Sequence, residues 1–225
     1  AYTGPALLSG SASAVFFHEV LAHRLEASRT KSVNNAIAPL MGKRILPASL
    51  QLYLDPTLKT YQGRELNGHY LYDEEGVKGE RGDCIKDGFL KQYLMSRAPA
   101  KGFTGSNGHG RADVNFDPEP RQSNLIIETT APYTTEELRN KFIEELKRQE
   151  KEYGYYFRTV NGGFTTLGGS NPKSVNVFKV TPIEVYRVFT DGRKDQLVRG
   201  VSLIGTPLSM FSHIKAAGGE TELFT

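Results

Sequence analysis

At 225 residues, with 38% hydrophobic and 24% charged side chains, the chain has the size and composition of one globular domain with its own core. No apolar run approaches the roughly 20 residues that span a bilayer, and a net charge of +3 spread over both signs lacks the concentrated basic footprint of a nucleic-acid binder. A single cysteine, Cys84, excludes an internal disulfide and any metal site built from several thiolates of this chain.

In chain order, a short apolar stretch around Pro5 to Leu8 precedes Ser9 and Ser11, either of which can cap a helix running from Ala12 to about Ser28. Ala14, Val15, Phe16, Phe17, Val20, Leu21, Ala22 and Leu25 occupy nearly every azimuth, the composition of a helix buried on most sides. Strand and turn then dominate. Leu50 to Leu54 alternates as a strand, and Asp83 to Lys86, Asp87-Gly88 and Phe89 to Met95 read as a hairpin, because Asp-Gly supplies the positive φ of a type I′ turn. Lys101 to Gln122, rich in Gly, Asn, Asp and Pro, reads as a long loop.

Ser123 to Thr129 is a further strand, and Thr134 with Glu137 forms a capping box for a second helix carrying Leu138, Phe142, Ile143 and Leu146. Strands follow at Tyr155 to Val160, Val175 to Val180, Ile183 to Phe189 and Leu197 to Leu203, with a turn at Asp191-Gly192. The Gly162-Gly163 and Gly168-Gly169 pairs read as strand turns, since no helix pattern follows either. Pro207 to Ala216 closes as a short helix ended by Gly218-Gly219. The expected fold class is α+β: an antiparallel, sheet-rich domain with one buried helix and two further short helices, in a single domain spanning 1–225. The opening Ala1-Tyr2-Thr3-Gly4 and the strand-like Glu222 to Thr225 are expected to be cut points of a longer protein.

The chemistry concentrates in His18-Glu19-Val20-Leu21-Ala22-His23, inside the most apolar helix. Burying two imidazoles and a carboxylate without partners costs several kcal/mol. A divalent metal satisfies both rings, and the adjacent carboxylate can deprotonate a water whose pKa the ion has lowered to about 7. His18 and His23 are thus the candidate ligands and Glu19 the candidate general base. The spacing demands a distortion. Histidines four apart return to one face, whereas five apart lie about 140° apart on a regular helix. A π-bulge between His18 and His23 is expected to bring the rings together.

The wider sequence resembles the TldD/PmbA family of bacterial metallopeptidases, and specifically the C-terminal half of its TldD-like members. The family's H-E-x-x-x-H-x-x-E helix corresponds to His18-Glu19, His23 and Glu26, preceded by Gly4-Pro5-Ala6-Leu7-Leu8. Asp73-Glu74-Glu75-Gly76, the hairpin from Ile85 to Leu94, Pro120-Arg121-Gln122-Ser123-Asn124, Glu184-Val185-Tyr186, the run Gly200 to Pro207 and Ala217-Gly218 follow in the family's order. Ala22 and Ala27 stand where the family usually carries Gly. The resemblance implies zinc as cofactor, with a third ligand, a cysteine, beyond Thr225. It implies an N-terminal domain, a homo- or heterodimer with a family member, and cleavage of unfolded or short peptides bound by strand addition to an exposed sheet edge. The compartment expected is the bacterial cytoplasm, with neither membrane nor nucleic acid as partner.

Glu26, three residues after His23, can orient that imidazole or pair with Arg29 or Arg24. Cys84 reads as a core residue; His109 and Arg111 read as solvated loop residues or substrate contacts, and His69 and His213 as structural. A rival to the peptidase is a non-catalytic, peptide-binding scaffold subunit, since PmbA-like partners in the family lack the metal motif.

Overall fold

The structure is a computed structural model that describes residues 1–31, 37–166 and 177–225. In chain order it contains β1 (Ala6–Leu8), α1 (Gly10–Val20), β2 (Leu50–Leu54), β3 (Thr60–Tyr61), β4 (Arg64–Glu65), β5 (Gly82–Lys86), β6 (Phe89–Leu90), β7 (Gly110–Arg111), β8 (Glu119–Pro120) and β9 (Leu125–Thr129). There follow α2 (Thr135–Arg148), β10 (Tyr153–Thr166), β11 (Val177–Phe189), β12 (Gln196–Val198), β13 (Leu203–Gly205) and α3 (Pro207–Ser212). The larger sheet has the order β1-β10-β11-β12, with β13 also on β11; a second has the order β6-β5-β2-β9. Only the β1–β10 pairing is parallel within these two sheets. The fold is therefore the mixed, antiparallel-rich α+β class expected. α2, at 14 residues, is longer than expected.

α1 touches β10 and β11 of the larger sheet and β9 of the smaller. One apolar core consequently runs from Phe16, Phe178 and Val180 to Leu52, Cys84 and Ile85. Phe16 meets Phe178 edge to face at 5.5 Å, a favoured aromatic geometry. A smaller cluster seats Phe142 and Leu146 of α2 over Val188.

Several expectations change. β11 is one strand from Val177 to Phe189, not two, because Pro182 falls at a register irregularity opposite Val160, where a missing N–H is tolerated. The stretch Leu197 to Leu203 divides into β12 and β13, which pair with opposite ends of β11; Gly200, at φ 73°, turns the chain between them. Gly162-Gly163 is no turn. Both lie inside β10, where φ 135° at Gly162 accompanies a bulge. Gly168-Gly169 and Val175 lie outside the described residues. The Asp87-Gly88 turn has positive φ at both positions, 51° and 75°.

The Gly-rich segment is pinned from Asn107 to Gly110, while Asp113 to Asp117 is exposed as a solvated loop. Asn107 donates to Tyr93 O at 2.9 Å and accepts from Met95 N at 2.7 Å. The Asp73 carboxylate accepts from the backbone N–H groups of Glu75, Val77 and Gly110. His109 is fully buried, its Nδ1 3.1 Å from Asn107 O and its Nε2 3.2 Å from Ser123 Oγ. Full burial keeps His109 from the expected substrate contact, and Arg111, still partly exposed, pairs with Glu74 and lies over the Tyr70 ring. Burial pushes the His109 pKa down from 6.5 to about 4, against the weaker pull of Asn107 O, Asp73 and Asp55. Between those values the unfolded chain binds a proton that the folded chain refuses, so stability falls as pH drops through this window, by about 3 kcal/mol in all. Denaturant titrations from pH 7 to 4 should show that slope, flattened in His109→Gln.

Candidate metal centre

Ser9 caps α1 with extended backbone, its hydroxyl accepting from Ala12 N at 3.1 Å. The helix then buries Ala12, Val15, Phe16, Phe17, Glu19 and Val20. It ends at Val20. Leu21 leaves helical geometry at φ −122°, and Ala22–Leu25 winds as a 3₁₀ turn. The expected π-bulge is absent, and the expected helix to Ser28 stops short.

The break has a visible cause. Arg24, 1% exposed, donates from Nη1 to Glu19 O at 3.0 Å and to Val20 O at 2.7 Å, satisfying carbonyls that the missing helical turn leaves open. Burial, aided by Arg29, lowers its pKa to about 10. Beyond it, Leu94 N donates to Leu25 O and Ala27 N to Leu94 O, tying the segment to the end of the β5–β6 hairpin. Breaking and tightening the helix replaces widening it as the way to cancel the angular offset: the His18 and His23 rings lie with centroids 4.6 Å apart.

One donor atom each from His18, Glu19 and His23 lies within 4.8 Å of the others, and this is the only such trio of His, Cys, Asp or Glu among the described residues. The chemistry of the set fits a divalent cation. Burial, and then His23, lowers the His18 pKa, with Glu26 and Gln122 opposing, which favours the neutral, lone-pair-bearing imidazole. His23 Nδ1 lies 3.0 Å from Glu26 Oε1, leaving Nε2 for a ligand. Glu19 is 7% exposed, and burial raises its pKa against His23 and Arg24.

Glu26 is fully buried, and its other oxygen accepts from Arg29 Nε and, at 3.3 Å, from Arg121 Nη1. Burial alone would raise its pKa, but His23 and Arg29 together outweigh it and hold it low. Both carboxylate oxygens are thus engaged behind the trio, which leaves Glu26 orienting His23 rather than joining it as a donor. Cys84 is not among these donors: it is fully buried in β5 among core side chains. His69 Nδ1 lies 2.8 Å from Pro56 O, and His213 caps its own helix end.

Sequence reading missed Gly163. A Cβ there would stand 2.8 Å from Glu19 Cγ and 2.8 Å from Lys179 O, so β10 passes directly over the carboxylate because this residue lacks a side chain. Gly163→Ala is expected to cost about 1–3 kcal/mol by overpacking and to displace Glu19, measurable by chemical denaturation.

An antiparallel sheet domain whose central helix breaks to deliver two imidazoles and a carboxylate to one point has the architecture of a metal-site domain. The chain belongs to the PmbA/TldA metallopeptidase C-terminal domain family, whose profile matches residues 2–225. It is 29% identical over 209 residues to a metalloprotease of Archaeoglobus fulgidus, covering 93% of this chain and 44% of that protein. It is 22% identical over 223 residues to the metalloprotease TldD homolog of Buchnera aphidicola subsp. Acyrthosiphon pisum, covering 98% and 42%. The fold is similar to the crystal structure of TldE from Thermococcus kodakarensis, with TM-score 0.66, 19% identity, and 96% and 45% coverage. The chain therefore spans less than half the length of these relatives. Their metalloprotease names imply a divalent metal without specifying it. No helix among the described residues is long and apolar enough to cross a membrane.

Proposed function

We propose that residues 1–225 form the metal-bearing domain of a TldD-type peptidase, in which His18 and His23 hold a zinc ion and Glu19 is the general base. The observation that supports this most is the convergence of the three donor atoms within 4.8 Å. Zinc held there would polarise the scissile carbonyl and lower the pKa of a coordinated water to about 7.

Glu19 takes the proton from the attacking water and passes it to the leaving amine nitrogen. Burial raises its pKa in the metal-free chain, and the charge of a bound cation would oppose that rise. His18 is kept neutral mainly by burial, and His23 gives its Nδ1 hydrogen to Glu26. A third donor is proposed from outside these residues, the cysteine beyond Thr225 that the family resemblance implies.

The substrate is an unfolded or short peptide. Beyond Arg158 no strand of the described residues pairs with the β1 side of β10, and Gly163 on that strand adjoins Glu19. A peptide added to this open edge would run past the carboxylate, its backbone groups supplying affinity without sequence demands. A family member is the proposed dimer partner, and the bacterial cytoplasm the compartment. Metal analysis of the intact protein after equilibration with zinc tests the reading. One ion per chain is expected, lost in His23→Asn; a protein with no stoichiometric metal under these conditions removes it.

A further inference from the structure

Phe164 follows Gly163 on β10 and keeps 55% of its surface exposed, large and aromatic though it is. A single exposed apolar side chain is ordinary. Its place is not. Successive side chains of a strand point to opposite faces, and Gly163 lies on the face that packs against Glu19 of α1, so Phe164 lies on the outer face of the sheet. The strand register aligns it with Lys179 of β11, and Lys179 in turn with Ile204 of β13. Lys179 is half-buried and Ile204 is 61% exposed, whereas Phe178 and Val180, on either side of Lys179, are buried on the inner face. A row with an aliphatic and an aromatic end, joined by the lysine stem, therefore crosses the outer face. It stops at Phe164, where the sheet, among the described residues, has no further strand.

We propose that Phe164 is a specificity-determining residue, selecting extended peptides that carry a large apolar side chain one position away from the residue lying over Glu19. The inference rests on the peptidase reading and the strand addition proposed above. Directly opposed residues of paired strands share a face. A peptide residue opposite Gly163 turns toward Glu19, and its neighbour, opposite Phe164, turns outward and extends the row by one member. Backbone pairing holds any sequence; this contact ranks them. An aromatic or aliphatic partner covers the Phe164 ring and removes apolar surface from water, whereas a carboxylate or amide leaves the ring wet.

The probe is a series of short Ser/Thr-rich peptides in which a single Phe is moved along the chain, incubated with the intact zinc-loaded protein and read by mass spectrometry. Cleavage is expected at a fixed distance from the Phe, with kcat/KM about 2–10-fold above that for the peptide lacking it. Phe164→Thr, which keeps strand propensity, should lose both the fixed distance and the ratio, and Phe164→Tyr should keep both. Cut sites that track the Phe as closely in the Thr variant as in the parent overturn the proposal, as does a parent indifferent to Phe. A Thr variant whose oligomeric state changes while its peptide preference does not marks the row as a subunit contact and overturns it too. A parent that cleaves nothing removes the peptidase reading by itself, and fluorescence anisotropy of the labelled series then decides this one. Tighter binding of Phe peptides that disappears in the Thr variant supports it, and any other pattern overturns it. Should the Thr variant fail to fold, Phe164→Glu takes its place: loss or reversal of the Phe preference supports the proposal, and an unchanged preference overturns it.

Discussion

Replacing Glu19 with glutamine is expected to lower peptide hydrolysis by the intact protein about 10²–10⁴-fold, while bound metal stays stoichiometric. The amide matches the carboxylate in shape, so it fits beneath Gly163, where no larger neighbour would leave room. What it loses is the capacity to accept a proton. The substitution also removes a carboxylate from a site where it is 7% exposed, so the fold should be at least as stable. The pH dependence has a definite sign. Because the folded pKa of Glu19 is raised, the folded chain holds this proton to higher pH than the unfolded chain, and the associated stability is lost as pH rises through the folded pKa. In metal-free protein that loss should vanish in the glutamine variant. Stopped assays at several pH values with metal content measured in parallel decide the matter; a variant that cleaves as fast as the parent ends the base assignment.

Glu26→Leu is expected to weaken metal binding about 10–100-fold and to cost about 1–3 kcal/mol of stability. Loss of one partner from a fully buried ion pair commonly costs about 3–5 kcal/mol, but here the buried member is the one removed. The side chains of Arg29 and Arg121 are 35% and 42% exposed, so water takes up the donors left behind, and the lower range applies. His23 cannot compensate in the same way, because the acceptor on Nδ1 is what fixes its ring. Glu26→Gln keeps an acceptor oxygen and should fall between parent and leucine variant in zinc affinity. A competition titration separates this from a plain stability effect, which denaturation reads independently; a leucine variant with full affinity would show that the pair is only a structural bridge.

The start of α1, the Asp87-Gly88 turn and the Thr134–Glu137 capping box were legible in the sequence because each is decided by residues a few positions apart. The proximity of His18, Glu19 and His23 was legible too, but its means was not. Leu21, Ala22, Arg24 and Leu25 are acceptable helix residues, so local propensity continues the helix. Arg24 reaching back to two carbonyls and Leu94 bridging from a distant hairpin decide otherwise. Gly163 was read as a turn because its real neighbour, Glu19, is remote in sequence. His109 sits in a stretch whose Gly, Asn and Asp content describes a solvated loop; only the tertiary contacts of Asn107 and Asp73 show that Asn107 to Gly110 is folded inward. The register break at Pro182 was visible as a residue type, while the continuity of β11 through it depends on the partner strand.

Cys84, the only thiol of the chain, sits at 0% exposure in the middle of the β6-β5-β2-β9 sheet, where burial pushes its pKa up and keeps it protonated. An alkylating reagent therefore reaches this sulfur only in molecules whose inner layer has come apart. The rate of its labelling becomes a clock for that opening, carried by a single native atom and readable by mass spectrometry without any added probe.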